Sequence, residues 1–285
     1  MKFIKALLIA VPLTTFVCTP TFGEDSSLET NVYDFVDDYG NYNLTQTTDA
    51  SSSLTSLTID GVEIKVGLTA WSDTGIIDPS YYYGNGDFYW DDSVVKSANI
   101  GQWNGGLTIE NRDRTYNSYN QGDHHSIDNF SEYGKQDFDM LLLSFDHAVT
   151  LTGATVSWMH SDNGSKEITV AGLSDNASSM FGGHNTWSDI AGAAIAGATG
   201  HYGISGYQSS FDKLTSAKYW LVGAYNTFFD DNAAASYNGV GFKLSSLTVG
   251  LEKSPPPNTQ VSEPGALALM SLGLGLVLYR RKRRV

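Results

Sequence analysis

Hydrophobic and polar positions along the middle of the chain alternate with the two-residue period of half-buried β-strands. Residues 54–59, Leu-Thr-Ser-Leu-Thr-Ile, alternate in this way. Asp60-Gly61 then forms a strong two-residue hairpin signal, and residues 62–71 alternate again. The same reading predicts strands over 94–100, 106–110, 138–145, 149–158, 168–173, 219–225 and 240–249. Gly153 is expected to break or bulge the 149–158 strand, because a strand glycine has no side chain to pack. No segment of this region carries a long 3.6-residue apolar period, and residues 191–198 read as a short helix or a loop. Short strands between frequent turn signals, without a fixed-period repeat, point to an all-β fold. The expected architecture is one jelly-roll-like β-sandwich over residues 52–251. The polar residues 24–51 read either as a disordered stretch or as an edge strand.

The two ends have a different pattern. Residues 1–23 have the three parts of a secretory signal. Lys2 and Lys5 precede an apolar stretch over 6–17, and Thr21 and Gly23 supply small residues for cleavage between Gly23 and Glu24. This segment is expected to be a signal helix that signal peptidase removes. The only cysteine, Cys18, follows Val17 rather than the small residue of a lipoprotein site, so the processed chain has no thiol. At the other end, residues 252–261 include Pro255-Pro256-Pro257 and read as an extended linker. Residues 262–285 begin Ser262-Glu263-Pro264, continue as an apolar run over 266–279, and end in the basic cluster 280–284. Pro264 suits the first turn of a helix, with Ser262 and Glu263 at its positive end. As a helix the apolar run spans roughly 21 Å, short of the roughly 30 Å hydrocarbon core. Arginine snorkelling and local thinning would cover the difference, making a short transmembrane helix with a cytoplasmic basic tail.

This three-part end resembles the PEP-CTERM sorting signal of exosortase substrates. Glu263 and Pro264 match the family's motif, and Ser262 stands where its first proline usually is. The resemblance implies handling by exosortase in the inner membrane of a Gram-negative bacterium that makes exopolysaccharide. The processed protein would then reside on the cell surface or in the extracellular matrix. Phrases within the domain also resemble exosortase-dependent surface proteins. They include residues 68–72 (Leu-Thr-Ala-Trp-Ser), 105–113, 124–129, 137–145 and 219–226. That family implies no enzymatic activity.

Charge narrows the choice of partner. The net charge is -14, and seven of the 17 basic residues lie in the end signals. Residues 24–260 therefore hold 10 basic against 30 acidic residues, a balance of -20. Such a surface repels phosphate backbones, so nucleic acid is not an expected partner. The acidity suits solubility, with bound divalent cations as the sharper alternative.

Asp123, Asp128, Asp137 and Asp139 surround a Gly/Asn-rich loop that enters a strand. Calcium prefers oxygen ligands from such loops, although Asp128 and Asn129 also suit simple Asx turns. No cofactor is otherwise called for. His124 and His125 would face opposite ways in a strand and do not make a zinc pair. Tyr82, Tyr89, Trp90 and Trp103 sit in or beside glycine-rich loops, where aromatic rings can stack on sugar C–H faces or simply pack under the sheets. No G-x-S-x-G elbow, H-E-x-x-H or P-loop is present. The expected role is non-enzymatic, as a surface or matrix protein. A carbohydrate- or calcium-dependent binding module is the alternative, and a secreted glycan hydrolase the next.

Overall fold

The computed structural model describes residues 28–37, 42, 44–48, 51–54, 56–73, 94–110, 126–132, 135–136, 138–162, 164–212, 214–229, 239–252 and 264–282. Among them the early strands are β1 (Leu28–Asp34), β2 (Leu44–Thr48), β3 (Ser51–Leu54), β4 (Leu57–Ile59), β5 (Val62–Ile64) and β6 (Val66–Ser72). β7 (Lys96–Trp103), β8 (Gly106–Glu110), β9 (Ile127–Asp128), β10 (Ser131–Glu132) and β11 (Lys135–Gln136) follow. The later elements are β12 (Asp139–Ser161), β13 (Glu167–Leu173), α1 (Trp187–Ala191), β14 (Ala194–Gly203), β15 (Gln208–Ser210), β16 (Ala217–Ala224), β17 (Val240–Glu252) and α2 (Pro264–Lys282). Residues Ser27–Lys253 form one compact unit, and the two ends form a second, of which α2 is the described part.

β12 organises the body. It begins with an almost unbroken apolar run, Met140-Leu141-Leu142-Leu143, the composition of a strand covered on both faces. Leu141 and Leu143 enter the larger core with Leu68, Val222, Leu244 and Val249. Met140 and Leu142 point the other way, into a smaller core that Trp187 and Ile190 of α1 cover. α1 is held in place by a capping box. Thr186 Oγ1 accepts from Asp189 N (3.2 Å), and the Asp189 carboxylate accepts from Thr186 N (2.9 Å).

Halfway along, β12 changes partners. Residues 139–145 pair with β6 on one edge and β16 on the other, whereas residues 150–161 pair with β17. The change comes at Asp146, which pins the bend to the β5–β6 junction. Its N–H donates to Lys65 O (3.1 Å), and its Oδ1 accepts from Lys65 N (2.9 Å). β7 makes a similar change, with residues 96–98 on β6 and residues 99–103 on β8. β8 meets β17 at Leu107 and Leu244. The path β12-β17-β8-β7-β6 thus returns to β12 and closes a five-strand ring.

The all-β class agrees with the alternation in the sequence. The finer expectation is not clearly met, because the strands form a closed barrel with flanking strands rather than two separate jelly-roll sheets. β16, β13 and β14 extend the sheet beyond β12, and β3 and β2 extend it beyond β6. Two expected strands, 138–145 and 149–158, are one bent strand. The register shift between Leu151 and Gly153 places a bulge where the glycine predicted one. Asp60 (φ 49°) and Gly61 (φ 78°) both take the left-handed conformation of a type I′ hairpin turn. The expected helix or loop over 191–198 is instead the end of α1 and the start of β14. Within residues 24–51, β1 is an edge strand paired with β17 along its length, and its Tyr33 is buried.

At the C-terminus α2 starts at Pro264, the position proline favours, and runs 19 residues. Among the described residues no helix is long and apolar enough to cross a membrane. The expected N-terminal signal helix lies outside the described residues.

Candidate functional site

Asp128 and Asp139, two of the four expected calcium ligands, come together at one end of the ring, with Asp73 beside them. All three are at most 3 % exposed. The register pairs Asp139 with Ser72, which brings Asp73 to the start of β12. The geometry of the carboxylates is that of backbone clamps. Asp128 Oδ1 accepts from Phe130 N (3.2 Å), an Asx-turn contact, and its Oδ2 accepts from Ser126 Oγ (2.5 Å). Asp139 Oδ2 accepts from Asp128 N (3.4 Å), and Asp73 Oδ1 accepts from Phe138 N (2.5 Å). Among the described residues no group of three His, Cys, Asp or Glu side chains is placed to hold a metal ion. Asp123 and Asp137 lie outside the described residues.

Two buried asparagines continue this clamping. Asn129 Nδ2 donates to Tyr225 O (2.6 Å), and Asn129 Oδ1 accepts from Val240 N (2.7 Å), tying β9 to the end of β16 and the start of β17. Asn226 N donates to Thr169 Oγ1 (2.8 Å), and Asn226 Oδ1 accepts from Phe228 N (3.0 Å). Thr169 Oγ1 also meets His201 Nδ1 (2.9 Å), and His201 Nε2–H donates to Phe229 O (3.2 Å). Both ring nitrogens are therefore engaged. His201, Gly197, Gly200 and Phe228 help line a cleft of about 540 Å³ along β14. Half of its lining residues are alanine or glycine, and Thr199 lies among the others with a buried Oγ1 that has no hydrogen-bond partner among the described residues.

A third region lies on the outer face of the ring. In the second half of β12, Trp158 and His160 are two residues apart and so share a face. Their rings are parallel, 9° apart in plane with centroids 6.1 Å apart. Both are substantially exposed, Trp158 at 38 %. In the β12–β17 register Trp158 faces Lys243, and His160 faces Gly241. The space over Gly241 is filled by the Phe130 ring, which meets His160 edge-on at 5.7 Å. Lys243 lies under this strip with Nζ 5.2 Å from the Trp158 ring centre. The residue is only 6 % exposed, and burial holds its ammonium below the usual lysine range. His160 Nε2 pairs with Asp162 Oδ1 at 3.0 Å.

The tip of the β7–β8 hairpin adds to the strip. Asn104 (φ 49°) and Gly105 (φ 84°) make its turn, which sets Trp103 opposite Gly106. A side chain on Gly106 would come within 2.7 Å of Lys243 Cβ and 2.9 Å of Ser157 Oγ, so this glycine lets the hairpin close onto the strip. Trp103, 47 % exposed, is the described member of the expected sugar-binding set. Tyr82, Tyr89 and Trp90 lie outside the described residues.

Trp158, His160 and Lys243 were not among the residues singled out from the sequence. The alternation that puts Trp158 and His160 on one face is visible there, but their cation arrives from a strand much later in the chain. Pro264, expected to belong to a sorting motif, is the first residue of α2. Ser262, Glu263, Gly23 and Glu24 lie outside the described residues. No protein-family model matches the chain, no curated protein is similar to it, and no solved structure matches its fold.

Proposed function

We propose that the protein is an exported, non-enzymatic surface or matrix component whose barrel is a rigid body delivered through its C-terminal segment. The observation that carries this reading is α2. It begins at Pro264, directly after Ser262-Glu263, and ends among Arg280, Arg281 and Lys282. Met270, Leu272, Leu274, Leu276 and Val277 are all more than 60 % exposed, an apolar surface suited to lipid or to a membrane enzyme. The buried polar side chains of the body support the non-enzymatic part. Asp73, Asp128, Asn129, Thr169 and Asn226 hold backbone groups at strand ends. In this reading signal peptidase removes residues 1–23, the helix holds the chain in the inner membrane, and exosortase releases the body toward an exopolysaccharide layer.

The test is the intact mass of the surface-exposed protein from a Gram-negative host with exosortase and from its exosortase-deleted twin. The expected result is loss of α2 and the basic tail only where exosortase is present, and retention in a Glu263→Ala variant. The same mass in both hosts, with residues 264–282 retained, would overturn the proposal.

A further inference from the structure

The outer strip contains a charge that no described carboxylate balances. Lys243 is nine-tenths buried, and among the described residues no carboxylate lies within ion-pair distance of its Nζ. Its recorded contact is the Trp158 ring. The Lys243 stem starts beneath the hairpin tip, where Gly106 leaves room for its Cβ, and the ammonium lies over the indole ring. With no described carboxylate beside it, this ammonium is open to an external anion, in a chain that otherwise has 31 acidic residues and a net charge of -14. The one carboxylate placed in the strip, Asp162, is engaged by His160.

We propose that Trp158, Lys243 and His160 form a binding site for an acidic sugar, a pyranose ring carrying a carboxylate. The part of the Trp158 indole that stays exposed takes the C–H face of the sugar ring, and Lys243 Nζ, poised over the indole, takes the carboxylate. Ser157 Oγ and His160 lie along the same face and can hydrogen-bond ring hydroxyls. Phe130, seated on Gly241, holds His160 from behind. Trp103 on the adjoining hairpin extends the aromatic surface toward a second residue of an oligosaccharide. A neutral sugar would stack on the same indole without pairing to the lysine, so the site discriminates by charge. This inference does not depend on how the protein is exported.

Calorimetric titration of the full chain with trigalacturonic acid and with its uncharged methyl ester tests the site directly. The two ligands share ring shape and differ in charge. The acid is expected to bind at least tenfold more tightly than the ester, with an affinity that falls as salt is raised. Lys243→Met keeps the buried stem and removes the charge, and should bring the acid down to the affinity of the ester. Trp158→Ala should weaken both ligands at least tenfold, with thermal melting confirming that each variant is folded. Equal binding of acid and ester by the unaltered protein, or binding of neither, would overturn the proposal, as would unchanged acid binding in Lys243→Met.

Discussion

Tyr33 sits 4 % exposed between β1 and the ring, with its hydroxyl donating to Ile64 O at 2.6 Å. Burial, with a smaller contribution from the nearby Asp146 charge, pushes its phenol up to about 12 from an ordinary value near 10. The neutral form is the one the fold accommodates. Stability from this residue is therefore fully present below pH 10 and is lost as pH rises from 10 toward 12. Urea unfolding between pH 8 and 11.5 should show that decline in the unaltered protein and a flatter profile in Tyr33→Phe. At neutral pH the same substitution should cost about 1 kcal/mol through loss of the Tyr33–Ile64 hydrogen bond. Asp128 and Asn129 illustrate what single residues disclose. Their types and spacing suggested turn-making, and Asp128 does cap the N–H of Phe130. The partners of Asn129 are on β16 and β17, and no local pattern names them.

At the scale of elements, the sequence was most legible where a strand's chemistry is local. The alternating run and Asp60-Gly61 place the β4–β5 hairpin correctly because period and turn type are written in adjacent residues, whereas the single run expected over 62–71 is divided between β5 and β6, which lie in different sheets. β14 was missed because Ala194, Ala196, Gly197, Ala198 and Gly200 have weak strand preference. Pairing with β13, from Glu167 opposite Gly203 to Leu173 opposite Ala194, overrides that preference. β12 was read as two strands because the polar pair Asp146-His147 interrupts its apolar pattern. The bend is real, but the ladder continues on both sides of it. Glycines in these elements should differ sharply in tolerance. Gly106→Val drives a side chain into Lys243 and Ser157, and should cost about 1–3 kcal/mol by denaturant titration. Gly67→Ala in β6 meets no atom within 4 Å and should be neutral or stabilise by about 0.5–1 kcal/mol. Similar losses at both positions would contradict the register described.

For the molecule as a whole, the limit of the sequence was long-range pairing. An all-β class follows from composition and period, whereas closure of the ring depends on β12 and β7 each serving two partners. The outer strip was illegible for the same reason, since Trp158, Lys243 and Trp103 are contributed by three strands far apart in the chain. The edge strand β1 shows the practical effect. Tyr33 and Phe35, both in the larger core, precede residue 52, where the domain was expected to begin. A chain starting at residue 52 should melt well below one starting at residue 27, since burying each such ring contributes about 1.5–3 kcal/mol. Equal melting temperatures would show that β1 is dispensable.

β1 and β17 also decide when the body can be completed. Leu28 lies opposite Glu252, so the first described strand of the body waits for the last. A chain threaded through a membrane from its N-terminus presents β17 only at the end of its passage. Until then β12 lacks its longest partner and the ring stays open. Pairings of such wide sequence separation form slowly, so in an export of the kind proposed the barrel would reach its final form only after nearly the whole body had crossed. A chain whose last strand locks its first is thereby kept threadable for the length of its journey.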